Sequence, residues 1–173
     1  MGASIQYGQI YNQMLQRNGD RSAYAVHLDY KDEEWGVQLE AGSYDYSAAS
    51  NPVTSKDRIL FGAYDTSFYV ANKADFLLFN ISKSIIKDTE KMILGTLDCY
   101  NNFALIQPKE VSEQVGDSTQ QNTIGCSTTR GPLVTYVELI SGKNSSFVNG
   151  PGIGLVDDNG WSSRLNVNIG YYF

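Results

Sequence analysis

The chain has 173 residues, 42% hydrophobic and 18% charged, a length that supports one domain built on a single core or one small barrel. A net charge of -6 argues against a nucleic-acid binder, which needs a basic stripe, and one histidine with two cysteines leaves no donor set for a structural zinc site. No run of about 18 apolar residues is present, so no transmembrane helix is expected.

Alternation dominates from the start of the chain. Ala3 to Asn12 is the first strand candidate. Tyr24, Val26, Leu28 and Tyr30 then alternate with Ala25, His27, Asp29 and Lys31. Trp35, Val37, Leu39 and Ala41 alternate with Gly36, Gln38, Glu40 and Gly42. Ile59, Phe61 and Ala63 alternate less cleanly with Arg58, Leu60, Gly62 and Tyr64. Lys73–Ser84, Met92–Ile106 and Gln121–Arg130 are further candidates, and Leu133, Thr135, Val137 and Leu139 follow. The last segment is the clearest: Leu165, Val167, Ile169, Tyr171 and Phe173 oppose Arg164, Asn166, Asn168, Gly170 and Tyr172. A helix would scatter these apolar residues around its circumference. About nine strands and no helix are expected.

Connections come in two sizes. Lys31–Glu34 and Arg130-Gly131-Pro132 read as tight turns, Pro108–Gln120 and Lys143–Trp161 as long polar loops. Long loops at one end and short turns at the other characterise outer-membrane barrels. Counting back from the C-terminus, however, puts the Lys31–Glu34 turn on the long-loop side and the Asp45–Lys56 loop opposite. One segment between Asp57 and Ile86 is then not a full strand, or two have been merged; Tyr64–Asp75, as a loop lying in the lumen, is the expected fault.

In a bilayer every backbone polar group must be paired, which restricts spanning β structure to closed barrels, apolar outward and polar toward a water-filled lumen. Tyr and Trp gather at the headgroup level. Aromatic residues stand near many of the strand ends here (Tyr7, Tyr11, Tyr24, Tyr30, Trp35, Tyr44, Tyr46). The alternative is a soluble β-sandwich or lipocalin-like small-ligand-binding protein, in which the same apolar residues point into a core. The end Gly170-Tyr171-Tyr172-Phe173, an apolar strand without a polar tail, favours the barrel, because soluble termini fray. The opening Met1-Gly2-Ala3-Ser4-Ile5 has no leader character, which fits a cytosolic protein, a mature form or a fragment.

The segment Ser162-Ser163-Arg164-Leu165-Asn166-Val167-Asn168-Ile169-Gly170-Tyr171-Tyr172-Phe173 resembles the closing strand of bacterial outer-membrane porins, in particular the phosphate-selective porin O/P family. Gly131–Glu138 with Ser141-Gly142-Lys143-Asn144 is similar to that family's preceding strand and loop entry. Cys99–Phe103, Gln120-Gln121-Asn122, Ala25–Asp29 and Val37–Ala41 extend the resemblance over most of the chain. It implies an all-β, antiparallel up-and-down transmembrane β-barrel, here an incomplete C-terminal portion of a larger porin barrel, with a complete small barrel of eight strands as the rival. It also implies a homotrimer in outer-membrane lipid that passes small hydrophilic solutes and ions without a cofactor. Tyr171 and Phe173 would then form the assembly signal.

Alternation assigns His27, Asp29, Gln38, Glu40, Arg58, Asp98, Glu138, Arg164, Asn166 and Asn168 to the lining of the pore. It assigns Val37, Leu39, Leu165, Val167 and Ile169 to lipid. An anion filter needs a ladder of Arg and Lys, and this lining suits a general or weakly cation-preferring pore better. Cys99 and Cys126 lie symmetrically about the Pro108–Gln120 loop, a position that permits a cross-strand disulfide. His27 has no Ser-His-Asp arrangement around it and reads as a solvated strand residue. Gly150-Pro151-Gly152-Ile153-Gly154 lacks the Lys-Ser/Thr of a phosphate cradle, and Asp157-Asp158-Asn159-Gly160 reads as a turn.

Overall fold

The computed structural model describes residues 1–13, 15–49, 57–63, 66–87, 95–157 and 159–173. Eleven strands and no helix are found among them: β1 (Gly2–Asn12), β2 (Arg17–Lys31), β3 (Trp35–Ser47), β4 (Arg58–Ala63), β5 (Thr66–Ala71), β6 (Lys73–Ile86), β7 (Thr96–Pro108), β8 (Thr119–Arg130), β9 (Leu133–Lys143), β10 (Gly152–Ile153) and β11 (Ser162–Tyr171). The period-two segments all become strands because only an extended chain sends alternate side chains to opposite faces.

Eight of them form one antiparallel sheet in the order β1-β2-β3-β6-β7-β8-β9-β11. β4, β5 and β10 form a separate three-stranded sheet. This corrects the count along the chain: Arg58–Ala63 is a strand, but it pairs with β5 and not with the large sheet. Nor is the stretch from Thr66 to Asp75 a plain loop, since it contains β5 and the start of β6; residues 64 and 65 of that expectation, 50–56 of the Asp45–Lys56 loop and 92–94 of the Met92–Ile106 strand lie outside the described residues. With β4 and β5 removed from the count, the sidedness conflict disappears. Connections 13–16, 48–72, 109–118 and 144–161 share one end of the sheet, and 32–34, 87–95 and 131–132 share the other. β1 and β11 do not pair with each other, so the described sheet is open and the expected barrel closure is not found.

The register carries more than the order. One straight row of partners joins Gly2, His27, Glu40, Leu78, Ala104, Gln121, Gly142 and Ser162. Gly2 opens β1 at the short-turn end, whereas Ser162 opens β11 at the long-loop end. The strands are therefore staggered by about ten residues across the sheet. At about 3.4 Å per residue and 4.8 Å between strands this is a tilt of roughly 40–45°.

The described hydrophobic core is small. Ala71, Val115 and Leu155 form it, where the small sheet and the long connections meet the large sheet. Tyr44 Oη donates to the carbonyl of Ala71 at 3.0 Å, and the amide of Tyr46 donates to Asn72 O at 2.8 Å. Gly154 N–H donates to Thr119 Oγ1 at 2.8 Å. By register Tyr44, Tyr46 and Thr119 share the face of His27 and Glu40, so the small sheet lies against that face.

The tight turn 32–34 is organised by Asp32. Its Oδ1 accepts the amides of Trp35 at 2.7 Å and Glu34 at 2.8 Å, and these bonds hold the carboxyl below the usual carboxylate range.

Candidate functional site

Directly opposed residues of an antiparallel pair share a face, so the register sorts every candidate. His27 and Glu40 lie in one row; Asp29, Gln38 and Arg164 in the next of the same face. Glu138 and Asn166 lie in the third, Asp98 and Asn168 in the fourth. Nine of the ten residues assigned to the pore lining therefore stand on one face of the large sheet. Arg58 does not: it belongs to β4, and its guanidinium carbon lies 4.3 Å from the centre of the Tyr69 ring.

Neutral donors tie this polar face together. Asn80 Nδ2 donates to Gln38 Oε1 at 3.2 Å, and Ser84 Oγ to Asp98 Oδ1 at 2.6 Å. Glu138 is held from both sides, by Tyr100 Oη at 2.7 Å and Asn166 Nδ2 at 2.7 Å. Tyr100 is two strands away and reaches Glu138 across Gly125, which separates them in their row. A Cβ on Gly125 would lie 2.8 Å from Glu138 Cγ and 3.0 Å from the Val137 carbonyl oxygen. Gly125→Ala is expected to cost about 1–3 kcal/mol through this crowding, read as a lower urea midpoint; an unchanged midpoint would mean that Tyr100 and Glu138 move aside freely.

The reverse face is apolar. Leu28, Leu39, Phe79 and Phe103 share one row, and Tyr30, Val37, Ile81, Ile124, Leu139 and Leu165 belong to the next on that side. Val137 and Val167 face each other in a third, and Ile169 stands in the fourth. Leu165, Val167 and Ile169 are 71%, 55% and 68% exposed, Leu39 is 40% exposed and Val37 is half-buried. Tyr171 ends the same face opposite Leu133, and the fully exposed Phe173 ring lies 6.5 Å from that of Tyr171.

The band of apolar residues does not follow the rows of partners. The row that starts with Ile5 and Tyr24 continues into Ser43, Asp75 and Gln107. The row of Leu28, Leu39, Phe79 and Phe103 continues into Asn122, Ser141 and Ser163. The band thus crosses the rows obliquely, at the angle of the stagger. From Tyr24 to Tyr30, or from Leu165 to Tyr171, it extends about 20 Å along a strand. Its long-loop border is charged: Lys73 pairs with Asp45 at 3.6 Å and with Glu110 at 2.9 Å, and Lys109 pairs with Asp75 at 3.0 Å.

Cys99 and Cys126 are register partners joined in a disulfide. Both lie on the apolar face, in the row of Val137 and Val167. Tyr100, Asn80 and Asn102 belong to the polar face and were not among the expected lining; the parity of Asp98 marks Tyr100 and Asn102, and Asn80 follows from its pairing with Gln38. His27 has Gly2 and Glu40 as its cross-strand partners, neither of which carries a hydroxyl side chain. No His, Cys, Asp or Glu grouping suited to a metal ion occurs among the described residues.

Set against known proteins, the chain matches no family model, no curated sequence and no solved structure.

Proposed function

We propose that the large sheet is a sector of a transmembrane porin barrel in the bacterial outer membrane. Its polar face lines a water-filled conduit, and small hydrophilic solutes and ions cross it by diffusion. The observation that carries this reading is the apolar band, which is oblique to the strand pairing, shows exposed apolar side chains on seven of the eight strands and crosses β7 at the half-buried Leu97, Phe103 and Leu105. A soluble protein rarely exposes a contiguous apolar patch beyond a few hundred Å². Tilted strands crossing a hydrocarbon layer need a band level with that layer and inclined to the hydrogen-bond rows. The roughly 40–45° tilt matches the strand tilt of such barrels.

A wide barrel is favoured over a closed ring of these strands alone. Eight strands enclose an interior that side chains fill. Here the polar face carries a second sheet and open hollows of about 300 Å³, and among the described residues both edges of the sheet are unpaired. The edges then pair with further strands, which removes the aggregation hazard of a raw edge. The disulfide fits an oxidising envelope compartment. Trimer formation follows only from the family resemblance.

The test is extraction and reconstitution of the native polypeptide. It is expected to need detergent for solubility, to give stepwise conductance in planar bilayers, and to show quenching of Trp35 fluorescence by brominated lipid. A protein that is monodisperse in plain buffer and leaves bilayers silent would instead be the soluble ligand binder.

A further inference from the structure

We propose that the conduit prefers cations, and that Asp29, Glu40 and Asp98 set the preference. This rests on the channel reading above and adds the charge class of the solute. Three hollows of about 300, 310 and 260 Å³ adjoin on the polar face of β2, β3 and β6. The first and second share Asp29, Gln38 and Asn80; the second and third share Lys31, Gly36 and Ser82. Together they make one trough running from Glu40 to the short-turn end of the sheet.

Its walls are acidic. Glu40 and Asp29 stand at the upper end, and Asp32, Glu33, Glu34 and Asp98 at the lower. Among the described residues Lys31 is the one lysine lining it, and His27 borders Glu40. Lys87, just beyond β6, adds a weak attraction to Asp32. Among the described residues none of the six carboxylates has a Lys, Arg or His within ion-pair distance. Asp98 and Asp32 are bonded by neutral donors instead, Asp98 by Ser84 Oγ and Asp32 by the Tyr30 hydroxyl and two backbone amides.

Seven other described cations lie away from the trough. Lys73 and Lys109 are engaged at the long-loop border. Lys83 lies on the apolar face, 4.7 Å from the centre of the Trp35 ring. Arg58 covers Tyr69 in the small sheet. Arg17 and Arg21 share the polar face but sit toward the long-loop end of β2. Arg164 is in the row of Asp29 but six strands away, roughly 29 Å at 4.8 Å per strand and about three Debye lengths at 0.1 M salt. Fixed charge of one sign on a water-filled wall concentrates counter-ions and excludes co-ions.

The measurement is the zero-current potential of the native polypeptide in a bilayer across a tenfold KCl gradient. The expected sign is that of K⁺ preference, fading as both sides approach 1 M, where the Debye length is about 3 Å. Asp29→Asn with Glu40→Gln, and separately Asp98→Asn, are expected to lower the K⁺ to Cl⁻ permeability ratio about two-fold or more while single-channel conductance persists as proof of folding. Glu113→Gln, exposed in the 109–118 connection and outside the trough, is expected to leave the ratio unchanged. Chloride preference, or a ratio indifferent to the trough substitutions in channels that still conduct, would overturn the inference and leave the channel reading standing. Absence of any conductance in the unaltered protein would remove the channel reading itself.

Discussion

Arginine in place of Val167 is expected to destabilise the chain folded in a bilayer by about 2–4 kcal/mol, whereas arginine in place of Asn166 or Asn168 is expected to cost under about 1 kcal/mol. The three positions are neighbours on β11 and alternate in face, so local strand propensity is nearly the same for all. What differs is the medium each side chain enters. Val167 sits opposite Val137 in the middle of the apolar band, where a guanidinium would have no acceptor. Asn166 lies beside Glu138, a carboxylate that can receive the new cation. Leu165→Arg, at one border of the band, is expected to fall between these values, and Ile169→Arg, as far inside the band as Val167, to match Val167→Arg, since the penalty declines toward the interfaces. Equilibrium urea unfolding in lipid vesicles reads the series. Equal costs at Asn166 and Val167 would contradict the assignment of the two faces, and a larger cost at Asn166 would invert it.

That assignment was legible in the sequence because a period of two is strict. One residue of slip moves a whole strand's side chains to the other face, so β11, β2 and β3 declare their faces without any neighbour. Nine of the ten expected lining residues consequently share one face in the structure. Arg58 departs for a reason alternation cannot reveal. Ile59 and Phe61 have the pattern of any strand between unlike surroundings, but which sheet a strand joins is decided by distant partners, here β5 and through it β10. The two-residue β10 is too short to carry a period at all. Cys99 and Cys126 were recognisable as a facing pair because hairpin register is symmetric about its loop. Tyr100 was hidden by its chemistry: an aromatic residue in a spanning strand reads as part of the interfacial belt, and only the glycine at position 125 lets its hydroxyl cross to Glu138. The stagger, which does most to support a barrel, is a property of seven pairings at once and has no trace in any single segment.

Asn144→Ala is expected to release the long connection 144–161 from the polar face, at a local cost of about 2–4 kcal/mol. Asn144 is 2% exposed and has a backbone φ of 53°, a conformation that asparagine tolerates better than alanine. Its Nδ2 donates to the carbonyls of Leu155 at 2.6 Å and Asp117 at 3.2 Å, joining the β9–β11 connection to the β7–β8 connection. Its own carbonyl accepts the Thr119 hydroxyl at 2.7 Å, and that hydroxyl oxygen in turn accepts Gly154 N–H. Alanine removes both side-chain donors, leaves two carbonyls in a buried site short of a partner, and sits badly at positive φ. Asn144→Gly separates these contributions, because it loses the same donors without the backbone strain. Thr119→Val attacks the relay from the strand side, removing the donor to the Asn144 carbonyl and the acceptor of Gly154 N–H while leaving the Asn144 side chain in place. Limited proteolysis in lipid is the readout, with cleavage within 144–161 accelerating in the order Asn144→Ala, then Asn144→Gly, then Thr119→Val. If the polar face lines a conduit, the same order should appear in bilayers as rising single-channel conductance, since the connection and the small sheet it holds by pairing Gly152 and Ile153 with Tyr69 and Val70 would no longer narrow the path. Resistance to protease equal to that of the unaltered chain in all three would show that the latch lies elsewhere in the loops.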